Sequence, residues 1–327
     1  MKHRAWVCGL IAIVAVTSVA SGTDAPAGTF HPVCGQTRVV AHTFGRTTLH
    51  GTPNRIVALE FSFVDDLVSI GVKPVGIADD DQPNRIIPPV RARVGSYTSV
   101  GLRQSPSLET IASLHPDLII ADSTRDATIY KQLREIAPTI ALDSLKEDYL
   151  AQLHAAAVIG QAVNRCAAMA RRLQQHRVVM NRIRAAVPTG ERRRAMFVVA
   201  SDALFNVHSS LAYTPSLLQS IGIPSADPLP PSAANRANPY LVMSEEGLVA
   251  VNPEIMFVAT DSPTANLWAT WSKDPLTQHI AAVSRHEVFT VSENLWSRAR
   301  GIEASEVLAQ QAVHLLYDRY VSIALPQ

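Results

Sequence analysis

ETIASLHPDLIIA (109–121) and EGLVAVNPEIMFV (246–258) are one segment written twice. Glu109 aligns with Glu246, Pro116 with Pro253 and Asp117 with Glu254, all at an offset of 137 residues, and the apolar positions coincide. Self-similarity over such a span marks a duplicated supersecondary unit. Each copy reads as a short helix, a proline-marked turn and a strand. The strands, LIIA and IMFV, are unbroken apolar runs rather than alternating ones, as a parallel sheet covered on both faces requires. A fainter echo lies upstream. RIVALE (55–60) and AMFVVA (195–200) read as strands, and the helices LVSIGV (67–72) and LLQSIGI (217–223) each stop at a glycine. The expected fold class is therefore α/β: two lobes, each with a mainly parallel central sheet flanked by helices. Ligands of such sheets bind beyond the carboxyl ends of the strands.

Between the lobes, Cys166, Met169, Leu173, His176, Met180, Ile183 and Val187 recur at steps of three and four. That stripe predicts a single long α-helix from Asn164 to Val187, roughly 36 Å at about 1.5 Å per residue, before Pro188 and Gly190 end it. Arg165, Arg171, Arg172, Arg177, Arg182 and Arg184 fall on the other face and read as its solvated side, with His176 as a packed core histidine. A continuous helix resists bending, so the cleft should be largely preformed. The organisation that follows is a leader (1–20), an N-terminal extension (21–46), an N-terminal lobe (47–162), the interlobe helix (163–188) and a C-terminal lobe (189–327).

The leader rests on Lys2, His3 and Arg4 followed by an apolar run to Val16 and small residues at Ser18 and Ala20, the layout of a secretory signal cut near Ala20. The run is shorter than the roughly 20 residues of a membrane span. A cysteine just after it, which a lipid anchor needs, is missing. Loss of Lys2 and Arg4 moves the formal net charge from +1 to −1. Such a balance gives no field to draw in nucleic acid. With 47% hydrophobic and 17% charged residues the chain can build a core and is not a disordered one. Cys34 and Cys166 remain after cleavage. An oxidising compartment permits their pairing, but their separation in sequence and the helical setting of Cys166 leave buried free thiols open as well.

GxGxxG after a strand, GxxxxGK[ST], HExxH, GxSxG and CxxC are all missing from the sequence, which leaves nucleotide, zinc and serine-hydrolase chemistry without support. What recurs after strands is arginine. Arg85, Arg103, Arg125, Arg298 and Arg300 fall in loops at strand ends, joined by Ser62, Asn206 and Trp296. Guanidinium forks meet planar carboxylates with two parallel charge-assisted hydrogen bonds. The five arginines are the candidate carboxylate clamps, led by Arg103 and Arg300. Ser62 and Asn206 supply further contacts and Trp296 an apolar wall. No metal-ligand spacing and no cofactor motif is seen.

PNRIVALEFSFVDDLVSIGVKPVGIADDD (53–81) and VGLRQSPSLETIASLHPDLIIADSTRDATIY (100–130) resemble the periplasmic ferric dicitrate-binding proteins of iron-citrate ABC importers. The likeness resumes at FNVH (205–208), LVAVNP (248–253) and LWSRARGIEASEVLA (295–309), and is weakest from Ala226 to Tyr240. The PSLE and PDLII pattern belongs to the wider class of iron-siderophore, haem and cobalamin receptors. The resemblance implies a periplasmic, monomeric, non-enzymatic protein with two helix-bridged lobes. It also implies a cargo of Fe(III) complexed by citrate, handed to an ABC permease dimer. Another siderophore, haem or cobalamin is the alternative cargo, and an enzyme or chelatase on the same fold the more distant rival. The resemblance further gives Glu109 and Glu246 the role of permease-docking groups on the two lobes. Locally, Ser105-Pro106 and Ser244 are expected to cap the helices that carry them.

Overall fold

The computed structural model describes residues 32–228, 238–262 and 264–321. The predicted leader and its cut near Ala20 lie outside them. The chain opens with an antiparallel hairpin, β1 (Thr37–His42) and β2 (Gly45–His50). The expected boundary at residue 46 falls inside β2. Instead of standing apart, the hairpin is docked on the first lobe: Thr43 N donates to Ala141 O at 3.0 Å and Thr47 Oγ1 to Thr139 O at 2.8 Å.

The first lobe comprises β3 (Ile56–Ala58), α1 (Phe61–Ser69), β4 (Gly76–Ile77), α2 (Pro88–Val94) and β5 (Thr98–Ser99). A small ribbon, β6 (Gly101–Leu102) and β7 (Ser105–Pro106), leads into α3 (Leu108–Ser113), β8 (Leu118–Asp122), α4 (Tyr130–Ile136) and β9 (Thr139–Leu142). Its sheet is wholly parallel in the order β5-β4-β3-β8-β9. The apolar runs are continuous because both faces are covered. Ile56, Ala58, Leu118 and Ile120 enter one core, while Val57, Leu59, Ile119 and Ala121 enter another.

Helices α5 (Tyr149–Ala162) and α6 (Cys166–Ala186) connect this lobe to the second. The second lobe holds β10 (Ala195–Ala200), β11 (Phe205–His208), α7 (Tyr213–Ser220), β12 (Tyr240–Val242), α8 (Glu245–Val251) and β13 (Ile255–Thr260). It continues with α9 (Leu267–Trp271), α10 (Ala281–Ser284), β14 (Val288–Ser292), a wide helical turn over Asn294–Ala299 and α11 (Ile302–Tyr317). β10, β13 and β14 form a parallel trio, and β11 and β12 extend it with antiparallel pairs. β10 and β11 are joined directly with no crossover helix, which allows only an antiparallel pair.

The duplication holds to the residue. α3 and α8 begin at 108 and 245, and β8 and β13 at 118 and 255. Ser107 Oγ accepts from Thr110 N just as Ser244 Oγ accepts from Gly247 N. The cap of the first copy is thus Ser107 and not Ser105-Pro106, which form β7. His115 and Asn252 both turn left-handed, at φ 44° and 48°.

Helix α6 starts two residues after the expected Asn164 and ends one before Val187, and two features differ from the sequence expectation. Arg172 is not on the solvated side: it is 3% exposed and pairs with Glu306 of α11. Helix α6 packs against α5 on one flank and α11 on another, so its buried stripe is wider than one row of apolar residues. Nor does the helix join the lobes alone. Asp65 of α1 accepts from Glu303 N and Ala304 N at 3.1 and 2.9 Å, and Asp66 accepts from Ile302 N at 3.3 Å, so first-lobe carboxylates cap a second-lobe helix. Gly301 leaves room for this, since a Cβ there would lie 2.4 Å from Asp65.

Cys34 and Cys166 form a disulfide with Cα atoms 5.9 Å apart, which removes the free-thiol alternative. It fastens the segment before the hairpin to the start of α6 and closes a loop across a separation of 132 residues. Replacing both cysteines with serine is expected to lower the unfolding free energy by about 2–4 kcal/mol, since long loops lose most entropy on cross-linking. Thermal melts check this. A reductant should lower the midpoint of the parent protein and leave the variant unchanged.

Candidate functional site

In the first-lobe sheet the chain winds outward in both directions from between β3 and β8, a topological switch point whose carboxyl edge forms a crevice. Loops leaving β3, β4 and β8 place Glu60, Asp80 and Arg125 there, and the tip of the β6–β7 ribbon adds Arg103. Arg85 Nη1 donates to Asp80 Oδ2 at 2.7 Å. Arg103 donates to Asp80 Oδ2 through Nε and Nη2 at 3.1 and 2.8 Å, and to Glu60 Oε2 through Nη1 at 3.2 Å. Arg125 Nε donates to Glu60 Oε1. The order Arg85, Asp80, Arg103, Glu60, Arg125 is a chain of alternating charges with a cation at each end.

Burial opposes ionisation of Asp80, but hydrogen bonds from Arg103 and Arg85 outweigh it and bring its pKa down to about 2. Burial also opposes the charge on Arg103, yet Glu60 and Asp80 raise its pKa above the ordinary value. Pairing thus favours the charged forms of both Asp80 and Arg103 against the cost of burial. Asp122 orients the next loop by accepting from the backbone N–H groups of Thr124, Arg125 and Ser144 at 2.7–2.8 Å.

From the second lobe, strand alternation brings Val199, Asn206, His208 and Tyr240 to one face, with His208 paired to Phe197 and Tyr240 across the strands. Burial and then Arg300 lower the His208 pKa to about 3, so its ring stays neutral. Arg298 is held by Glu293 at 2.6 Å, Asp261 at 2.9 Å and Asn294 at 2.8 Å. Together the two lobes enclose a cleft of about 500 Å³, lined by Arg85, Arg103, Arg125, Asn206, Arg298 and Arg300 among the sequence candidates. Such a volume falls within the usual range for small-molecule sites.

Two candidates lie elsewhere. Ser62 is 0% exposed and shares a hydrogen bond of 2.7 Å with Ser144 Oγ. Trp296 is also 0% exposed, because the Asn294–Ala299 turn points it into the second core, against Phe257 and Phe197, with Nε1 donating to Gln311. A third, Arg300, reaches the cleft wall with most of its donors spent. Its Nε donates to Ser297 O, and its Nη1 to Ser144 O and Leu145 O at 2.7 and 2.9 Å across the lobe boundary. Tyr240 donates to the same Leu145 carbonyl. Arg300 and Tyr240 therefore latch the lobes together.

Sequence reading missed His208, Tyr240 and Glu293, which line the cleft, and Glu60, which pairs with Arg103 and Arg125, although His208 ends the FNVH stretch. Glu109 and Glu246 are outside the cleft. Both are exposed, each the second residue of its helix, on different lobes.

A family model described as periplasmic binding protein matches residues 56–295. The chain is 39% identical over 293 residues to the Fe(3+) dicitrate-binding periplasmic protein FecB of Escherichia coli K12, covering 87% of this chain and 95% of that protein. It is 36% identical over 285 residues to the Fe(3+)-citrate-binding protein YfmC of Bacillus subtilis 168, covering 86% and 87%. The fold is shared with Staphylococcus aureus SirA, whose complex with staphyloferrin B superposes at a TM-score of 0.76 and 22% identity over 86% of this chain and 98% of that one.

Proposed function

Since the chain belongs to the periplasmic binding protein family, we propose that it captures ferric citrate in the interlobe cleft and hands it to an ABC permease for iron uptake. Ferric iron held by citrate is already surrounded by hard oxygen donors, so its receptor has no need to ligate the metal. It needs donors for an anionic shell of carboxylates. The observation that carries this reading is the convergence of guanidinium groups from both lobes on one cleft. An exported, monomeric protein cut near Ala20 completes the proposal. Among the described residues no helix is long and apolar enough to cross a membrane.

Donor geometry ranks the arginines differently from their sequence. Arg103 and Arg300 are largely committed to internal partners, whereas Arg85 and Arg125 line the cleft with one guanidinium nitrogen engaged in each. A charge-assisted hydrogen bond contributes about 1.5–3 kcal/mol. Arg85→Ala and Arg125→Ala are each expected to weaken ferric citrate binding by roughly 10-fold to 100-fold. Titration followed by tryptophan fluorescence reads this, because Trp296 adjoins the cleft-lining Ser297 and Arg298. Unchanged affinity in both variants would remove the carboxylate-clamp reading. Native mass spectrometry of the purified protein separates ferric citrate from another siderophore, haem or cobalamin. Turnover of any ligand would favour the enzyme or chelatase rival.

A further inference from the structure

Glu60 stands in the wrong place for simple electrostatics. It is a carboxylate, 1% exposed, lying under a surface read above as an anion site, where its charge repels the ligand. Its two oxygens are divided between two arginines: Oε2 accepts from Arg103 and Oε1 from Arg125. Arg103 is fixed from other sides as well, by Asp80 and by the Phe61 ring 4.3 Å beneath its guanidinium carbon. Arg125 Nε has Glu60 alone as its acceptor among the described residues, and Arg125 lines the cleft.

We propose that Glu60 is a positioning residue: it fixes the Arg125 fork relative to Arg103 and so sets the spacing at which the first lobe receives a polycarboxylate ligand. Held on one side through Nε, the guanidinium keeps its cleft-facing edge in one orientation before the ligand arrives, and less rotamer freedom is lost on binding. Asp80 does the same for Arg85 at the other end of the chain. The proposal rests on the ferric citrate reading for its ligand, but not for its geometry.

Charge and position predict opposite signs. Were Glu60 only a charge, Glu60→Gln would leave the cleft more positive and tighten anion binding, with the gain fading at high salt, while Glu60→Asp would change nothing. As a positioning residue it predicts that both variants weaken binding of ferric citrate, prepared with excess citrate, by about tenfold, and that the loss persists at high salt. A second readout is independent of ligand. In ¹⁵N spectra of the unliganded protein, the Nε–H of Arg125 should exchange with water faster in Glu60→Asp than in the parent, while that of Arg103, held by Asp80, should not change. Tighter binding by Glu60→Gln, parent-like binding by Glu60→Asp, or unaltered exchange at Arg125 overturns the proposal. Should Glu60→Gln fail to melt cooperatively, Glu60→Asp decides. Should the parent protein not bind ferric citrate, the functional reading falls and the exchange experiment still decides the role of Glu60.

Discussion

Glu306→Ala is expected to lower the unfolding free energy by about 3–5 kcal/mol, the range for removing one member of a buried charge pair. Arg172 donates to both oxygens of Glu306 at 2.7 and 2.9 Å, and His176, itself bonded to Tyr149, meets Oε1 at 2.9 Å. Burial works to raise the Glu306 pKa, but hydrogen bonds from His176 and Arg172 prevail and hold it below the usual glutamate range. Alanine would leave a guanidinium uncompensated inside the α6–α11 junction. Denaturant unfolding measures the loss. The double variant Arg172→Met, Glu306→Leu should recover most of it, because an apolar pair of similar volume avoids desolvating charges. If the single variant unfolds like the parent, the network contributes nothing to stability. The position matters beyond stability, since α11 begins two residues after the latch residue Arg300 and is capped in trans by Asp65 and Asp66.

That network shows where sequence reading ends. The 137-residue offset was legible because backbone chemistry repeats with it: a serine cap, a left-handed residue before proline and a buried strand occupy matching places in both copies. Local rules of capping and periodicity suffice for such features. Arg172 was misread because helical periodicity locates one buried stripe and cannot show that a second helix covers the adjoining flank. Trp296 was misplaced for a related reason: it lies two residues from Arg298 in sequence, yet the turn between them sends the two side chains to opposite sides of the wall. The disulfide was left open because pairing over 132 residues depends on where α6 begins relative to the hairpin. The five candidate arginines all line the cleft, but the partners that engage them, such as Glu60 and Leu145, approach from distant loops that no local pattern reveals.

The second large effect concerns transport and not binding. Reversing both Glu109 and Glu246 to arginine is expected to reduce iron uptake from ferric citrate to background while the dissociation constant stays within about twofold of the parent. Each glutamate is exposed at the start of a short helix, outside the cleft, and the duplication sets one on each lobe. Two matched carboxylates on one protein suit a partner that is itself a pair, with a cationic group for each. Engaging both at once raises the effective concentration of the second contact, so a single reversal should weaken uptake and the double should abolish it. Unfolding is not the expected cause, since α3 and α8 are held by buried Ile111 and Leu248 as well as by their serine caps. Uptake of radiolabelled iron in cells dependent on this protein, measured beside ligand affinity of the purified variant, separates the two steps. Parent-like uptake by the double reversal would refute docking through these residues, and loss of affinity equal to the loss of uptake would place the defect in the cleft.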